Sequence, residues 1–339
     1  MHLRSQSVFL LTIAATSCAH VLPKMDIPLT SSAALCAGTT LGQGEMCLPI
    51  AKLEHLLRDA DMSVLQARGT SSGTNGAMTL WMEFPKDHVT LKAKWKEAAQ
   101  GGSAMNNEPR KELAAYELQK LFLDPEEYVV PPTVSRCIPL GLYEIQIRPT
   151  KATFPGTACA FGVLSYWLSG IEMLSGFDAK RFETDLKYRK AISNLNVFTY
   201  LFDHRDTRPA NFAISKSHDF PRAFAIDNGL ALNGITNPRT TFRHEWNRIA
   251  VPKLPHRTVE RLRAITRAQL DALATVAELA IDGQQMDSIA RTASFEDHDG
   301  VRRKGNVIQL GLTNKEIDQI AERLRALIER VDSKQLEVY

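Results

Sequence analysis

At 339 residues the chain is long enough for one large domain or two lobes around a buried core. Its 44% hydrophobic and 23% charged content is ordinary for a globular protein and excludes a low-complexity or fibrous class. A net charge of +3, with no Lys/Arg block and no basic stripe interleaved with aromatics, argues against a nucleic-acid partner.

The N-terminus has the layout of an export signal. Met1 to Ser7 is weakly positive, Val8 to Ala15 is apolar but too short to span a bilayer as a helix, and small residues with Cys18 follow. Cys18 after small residues also resembles a lipoprotein processing site, which would anchor the protein to a membrane through a lipidated cysteine. Initiation at Met25 is the alternative, and it would leave the protein in the cytoplasm. Residues 1–24 are therefore read as signal and 25–62 as a linker or irregular cap, with a short helix near Leu53 to Leu57. Removing the signal leaves Cys36, Cys47, Cys137 and Cys159. An even number permits disulfides in an oxidising compartment, and Cys36–Cys47 and Cys137–Cys159 are the pairings to expect, with buried free thiols as the alternative. The chain has no Asn-x-Ser/Thr sequon, which points away from a eukaryotic secreted glycoprotein and towards a bacterial protein.

Strands are expected over Ser63 to Arg68 and Ala77 to Phe84, flanking a glycine-rich turn from Gly69 to Gly76. Val89 to Lys96 alternates, with Val89, Leu91, Ala93 and Trp95 on one face and Thr90, Lys92, Lys94 and Lys96 on the other, the period of a strand. Glu108-Pro109 opens a helix to about Phe122. Tyr128 to Val134, Tyr143 to Ile147 and Ala158 to Trp167 read as strands, and Arg181 to Phe202 as one long helix. The last helix carries a capping box, Thr313 with Glu316, and a stripe of Ile317, Ile320, Leu324, Leu327 and Val331. Strands with one helix, followed mostly by helices, indicate an α+β fold.

Two loops carry the chemistry. His204-Arg205-Asp206-Thr207-Arg208-Pro209-Ala210-Asn211 matches the pattern H-R-D-x-x-x-x-N at every fixed position. Phosphoryl transfer needs that spacing, because one carboxylate must accept the proton of the attacking hydroxyl and an amide oxygen one turn later must hold Mg²⁺. A second carboxylate must chelate the metal, and Asp227 follows the apolar run Phe224-Ala225-Ile226 and precedes Asn228-Gly229. Asp-Asn-Gly alone is a hairpin signal. After the first loop it reads as a metal loop. Arg208 is expected to contact the transferring phosphate, and His204 to pack and position its loop. His204, Asp206 and Ser215 lack the Gly-x-Ser-x-Gly of a hydrolase elbow, and His244-Glu245 lacks the second histidine of a zinc helix.

These motifs resemble the atypical kinase-like families: secretory-pathway kinases of the Golgi casein-kinase type, phosphatidylinositol kinases and bacterial toxin-type serine kinases. The secretory kinases share the Asp-Asn-Gly loop, a helix similar to Glu112 to Leu118, a Val-Pro-Pro segment like Val130-Pro131-Pro132, and a strand end resembling Trp95-Lys96-Glu97. The resemblance covers about residues 63 to 235. It implies a two-lobed kinase-like fold, with a small β-rich lobe over 63–168 and a larger helical lobe over 169–335. It further implies ATP and Mg²⁺ (or Mn²⁺) as cofactors, a hydroxyl-bearing acceptor, and transfer of the γ-phosphoryl group. Asp206 would be the base and Asn211 and Asp227 the metal ligands. Lys96 would contact the α- and β-phosphates, with Lys94 close behind on the same face and Glu112 (or Glu108) as the orienting partner. Gly73 and Gly76 would belong to the phosphate-covering loop, and adenine would lie near Leu164 to Leu168. The chain departs from ordinary kinases in having no Val-Ala-Ile-Lys strand, no Ala-Pro-Glu signature, and Asn228 in place of Phe. A nucleotide-binding protein without turnover and an AMP-transferring enzyme on the same fold are the alternatives, and the acceptor stays undefined.

Overall fold

The computed structural model describes residues 34–38, 45–70, 76–104, 107–216, 221–232, 246–281 and 300–339. The expected signal, with Cys18, lies outside the described residues. In chain order the elements are β1 (Ala34–Gly38), β2 (Glu45–Pro49), α1 (Ile50–Arg58), β3 (Ser63–Gly69), β4 (Met78–Phe84) and β5 (Val89–Glu97). Then come α2 (Pro109–Gln119), β6 (Thr133–Pro139), α3 (Leu140–Gln146), β7 (Cys159–Tyr166), β8 (Ile171–Met173), α4 (Ala179–Thr184) and α5 (Leu186–Leu201). The remainder is β9 (Phe212–Ser215), β10 (Ala223–Ala225), β11 (Lys253–Leu254), α6 (His256–Ala264), α7 (Arg267–Asp271), β12 (Ala277–Ala280), β13 (Val301–Lys304), β14 (Val307–Leu310), α8 (Asn314–Asp332) and β15 (Glu337–Val338).

The architecture is mixed α+β. An antiparallel five-stranded sheet runs in the order β3-β4-β5-β7-β6. The alternation in β5 does what its period requires. Val89, Leu91, Ala93 and Trp95 are buried on one face, and Lys92, Lys94 and Lys96 lie on the other. Strands β5 and β7 are pressed together at Gly162, the cross-strand partner of Glu97, since an added Cβ there would come within 2.6 Å of the Lys96 carbonyl. Helix α2 packs against β6 and β7. Its first turn is charged yet buried, with Arg110, Lys111 and Glu112 at most 6% exposed, so those charges must be paired.

Several elements differ from the sequence reading. Tyr143 to Ile147, expected as a strand, is instead the second half of helix α3 and its C-cap, Ile147. Its period-two look is incidental, since only Tyr143 is buried, donating to Glu97 Oε2 and accepting from Trp95 Nε1, while Ile145 faces solvent. Strand β6 begins only at Thr133 rather than near Tyr128. Upstream, the Gln119 side chain takes the main-chain groups, accepting from Val129 N and Val130 N and donating to Val130 O, and Pro131-Pro132 offer no N–H. The long helix from Arg181 breaks at Asp185, whose carboxylate caps α5 by accepting from Lys187 N and Tyr188 N. The core also begins before residue 63. Helix α1 buries Leu53, Leu56 and Leu57, and Arg136 donates to the carbonyls of Leu57 and Ala60 at its end.

Cys137 and Cys159 form a disulfide between β6 and β7, with Cα atoms 5.4 Å apart. The register of β1 and β2 sets Cys36 across from Cys47, which is itself disulfide-bonded. No helix of the described residues is long and apolar enough to cross a membrane.

Candidate functional site

Helix α5 ends at Leu201, and the chain turns at Asp203, whose backbone is left-handed with φ of 43°. Asp tolerates that conformation at a cost that the surroundings must repay. Here they do so through charge. The buried Asp203 carboxylate accepts from Arg205 Nε at 2.7 Å, Arg323 Nη2 at 2.6 Å and Asn247 Nδ2 at 3.2 Å. His204 is fully buried against Phe212, with ring centroids 5.1 Å apart, and burial pushes its pKa down. It is packed into the core beside the loop.

The loop then delivers Asp206, Arg208 and Asn211 to one place. Asn211 Nδ2 donates to the Asp206 carbonyl at 2.9 Å, which fixes the amide and turns Oδ1 towards Arg208 Nε at 3.3 Å. Arg208 also lies 3.3 Å from the Asp206 carboxylate and 3.8 Å from that of Asp227. The short antiparallel pairing of β9 with β10 carries the chain back, and Ile226 N donates to Asn211 O at 2.8 Å, so the two loops are tied through their backbones.

Asp227 follows, again left-handed with φ of 71°. Lys96 Nζ lies 3.4 Å from its Oδ1, and Lys94 Nζ lies 3.4 Å from its Oδ2. Burial pushes the Asp227 carboxyl up, but the two lysines outweigh it and hold the group well below the usual carboxylate range. Lys96 is the more enclosed lysine, its side chain 7% exposed against 27% for Lys94. Burial lowers the Lys96 pKa, and the charges of Glu112 and Asp227 reverse this and raise it.

Glu112 joins the two halves. Its Oε1 lies 3.2 Å from Lys96 Nζ, and its Oε2 accepts from Asn228 N at 2.8 Å. One carboxylate thus sets both the lysine and the loop that carries Asp227. Glu108, the alternative partner, faces away from this lysine. It pairs instead with Arg110 and Lys111, at 2.6 and 2.8 Å. Gly229 explains why the loop ends in glycine, since an added Cβ there would stand 2.8 Å from Lys96 Nζ.

Lys94, Lys96, Glu112, Arg208, Asn211 and Asp227 line a cavity of about 580 Å³, within the size range of small-molecule sites, while Asp206 stands beside it, joined through Arg208 and Asn211. Much of its remaining lining is apolar and aromatic. Val130, Pro131, Val163, Tyr166, Trp167 and Leu168 line it, in the place where sequence reading set the adenine. Gly69, Thr70 and Ala77, which flank the glycine-rich turn, also line it. Gly76 (φ 65°) instead sits near Arg148, and Gly73 lies outside the described residues.

Sequence reasoning missed the two tryptophans. Trp81 and Trp167 line the cavity and also flank Lys92, whose Nζ lies 5.0 and 3.9 Å from their ring centroids. The available signal was the run of lysines in β5, each facing a cross-strand neighbour, and Trp81 is the β4 partner of Lys92.

The chain matches no protein-family model and no curated protein sequence.

Proposed function

We propose that the protein is an atypical kinase on a two-lobed kinase-like scaffold, transferring the γ-phosphoryl group of ATP to a hydroxyl acceptor. One observation carries the reading. The Lys96–Glu112 pair, the Asp227 loop and the Asp206–Asn211 loop come from distant parts of the chain and meet at a single cavity. Those are the parts that phosphoryl transfer to a hydroxyl needs.

The donor set suits Mg²⁺. Asp227 offers a carboxylate and Asn211 an amide oxygen, both hard ligands. Among the described residues no cluster of three or more His, Cys, Asp or Glu could hold a metal unaided. A Mg²⁺ ion fits such a sparse set because it keeps waters and binds substrate phosphate oxygens. When bound, the ion supplies neutralisation of phosphate charge. The rest of the work falls to the chain's own residues. Lys96, oriented by Glu112, contacts the α- and β-phosphates, and Lys94 adds a second cation beside them. Asp206 accepts the acceptor's hydroxyl proton. Arg208, already between Asp206 and Asp227, meets the transferring phosphate with a fork suited to its oxygens. The aromatic lining takes the base.

Titration calorimetry with Mg-ATP tests the reading. The wild-type chain should bind, and Asp227→Ala should lose both binding and turnover. Binding and turnover that survive Asp227→Ala unchanged would falsify the assignment.

A further inference from the structure

The C-terminal helix α8 touches neither the cavity nor the two loops' catalytic side chains, yet it reaches both halves of the site. Glu316, in its first turn, receives Arg110 in a two-pronged pair, Nη1 to Oε2 at 2.6 Å and Nη2 to Oε1 at 3.0 Å. Lys111 Nζ lies 3.3 Å from the same carboxylate. Arg110 and Lys111 open the helix that carries Glu112. Glu316 is itself fixed, since its Oε2 accepts from Thr313 N at 2.8 Å in the capping box of α8.

Farther along α8, Arg323 donates to the Asp203 carboxylate at 2.6 Å and to the carbonyls of Tyr200 and Asn247, each at 3.0 Å. Asp203 is the left-handed residue that turns the chain into His204 and Asp206. Residues 316 and 323 are seven apart, and seven residues make about two turns, so both lie on one face of the helix. Arg110, Glu316 and Asp203 are buried, and a buried charge is costly without its partner, so these pairs define geometry more than they add stability.

We propose that α8 is a strut for the site, with Glu316 positioning the Glu112 helix through Arg110, and Arg323 positioning the Asp206 loop through Asp203. The proposal rests on the phosphotransferase reading for its kinetic consequences and on geometry alone for its structural ones. Glu316 acts on the residues that grip the phosphates, so its loss weakens nucleotide binding. Arg323 acts on the loop that carries the base, so its loss slows the chemical step. A helix that merely filled space would not divide its effects in this way.

The test uses the full chain and the variants Glu316→Gln, Arg323→Met and Leu327→Ala. Leu327 is a buried core residue about three turns beyond Glu316 on the same helix, and it serves as a stability control. Hydrogen exchange should quicken in α2 for Glu316→Gln with 203–211 unaffected, and in 203–211 for Arg323→Met with α2 unaffected. With Mg-ATP, Glu316→Gln should raise KM about tenfold at nearly constant kcat, and Arg323→Met should lower kcat about tenfold at nearly constant KM. Leu327→Ala should lower the melting temperature without either pattern. Identical exchange and kinetic changes in all three variants would overturn the strut. If the wild-type chain neither binds nor turns over Mg-ATP, the phosphotransferase reading fails, and the exchange pattern still decides the strut.

Discussion

Lys96 and Lys94 sit on one face of β5 and both reach Asp227, yet their surroundings separate them. Lys96 is enclosed, pairs with Glu112 and lies close beside Gly229. Lys94 has the one carboxylate and more solvent. Lys96→Met should therefore cost about 100-fold in kcat/KM and Lys94→Met about tenfold or less, since only the first removes a preorganised cation from the phosphates. Equal losses in steady-state assays would contradict the division of roles. Gly229→Ala places a methyl 2.8 Å from Lys96 Nζ. It should depress nucleotide affinity about tenfold while leaving the melting temperature nearly unchanged, because the far end of a lysine can shift where a backbone cannot. A variant that binds Mg-ATP like the wild type would show that Lys96 is not held by this contact.

At the scale of elements, the charges under helix α2 make a pH-dependent prediction. Burial pushes the Glu316 carboxyl up, but hydrogen bonds and charge from Arg110, with Lys111 and Thr313 N, hold it below its ordinary value of 4.5. A depressed carboxylate stabilises the fold above its ordinary pKa and loses that contribution as pH falls through the folded-state value. Glu316→Gln should thus be less stable than wild type by about 3–5 kcal/mol near neutrality, where it strands a buried arginine. The gap should narrow as the pH drops below 4.5. Urea denaturation at a series of pH values reads this, and a gap independent of pH would contradict it. The Cys137–Cys159 disulfide joins β6 to β7 across 22 residues. Replacing both cysteines by serine should cost about 3 kcal/mol through the looser unfolded chain.

The elements also show what a sequence can carry. The alternation of β5, the capping box of α8 and the two loops of the site were legible because each is written in local spacing. Helix α3 and the late start of β6 were not, since distant groups decide them: Tyr143 is held by Trp95 and Glu97, and Gln119 takes the main-chain groups before β6. The choice of Glu112 over Glu108 needed three dimensions as well, because both stand near the start of α2 and only their partners differ. Arg110 and Arg323 gave no signal, and Glu316 gave only that of a capping residue, because their pairing is seen only in the fold.

For the whole molecule, the arrangement joins a sheet that supplies cations, a helix that orients them and two loops that supply acids. Chain segments from Lys96 to Asp227 contribute, and α8 reaches back to brace both sides. The Cys137–Cys159 disulfide suits an oxidising compartment, where the proposed activity would need an external supply of nucleotide. The most direct test of the central claim follows label from ATP carrying ³²P in either the α- or the γ-phosphate, incubated with Mg²⁺, wild-type chain and candidate acceptors, with Asp206→Asn in parallel. γ-Label alone should reach a hydroxyl acceptor, and Asp206→Asn should lower the rate by about 100-fold or more. Transfer of the α-label, or γ-transfer undiminished in Asp206→Asn, would contradict it.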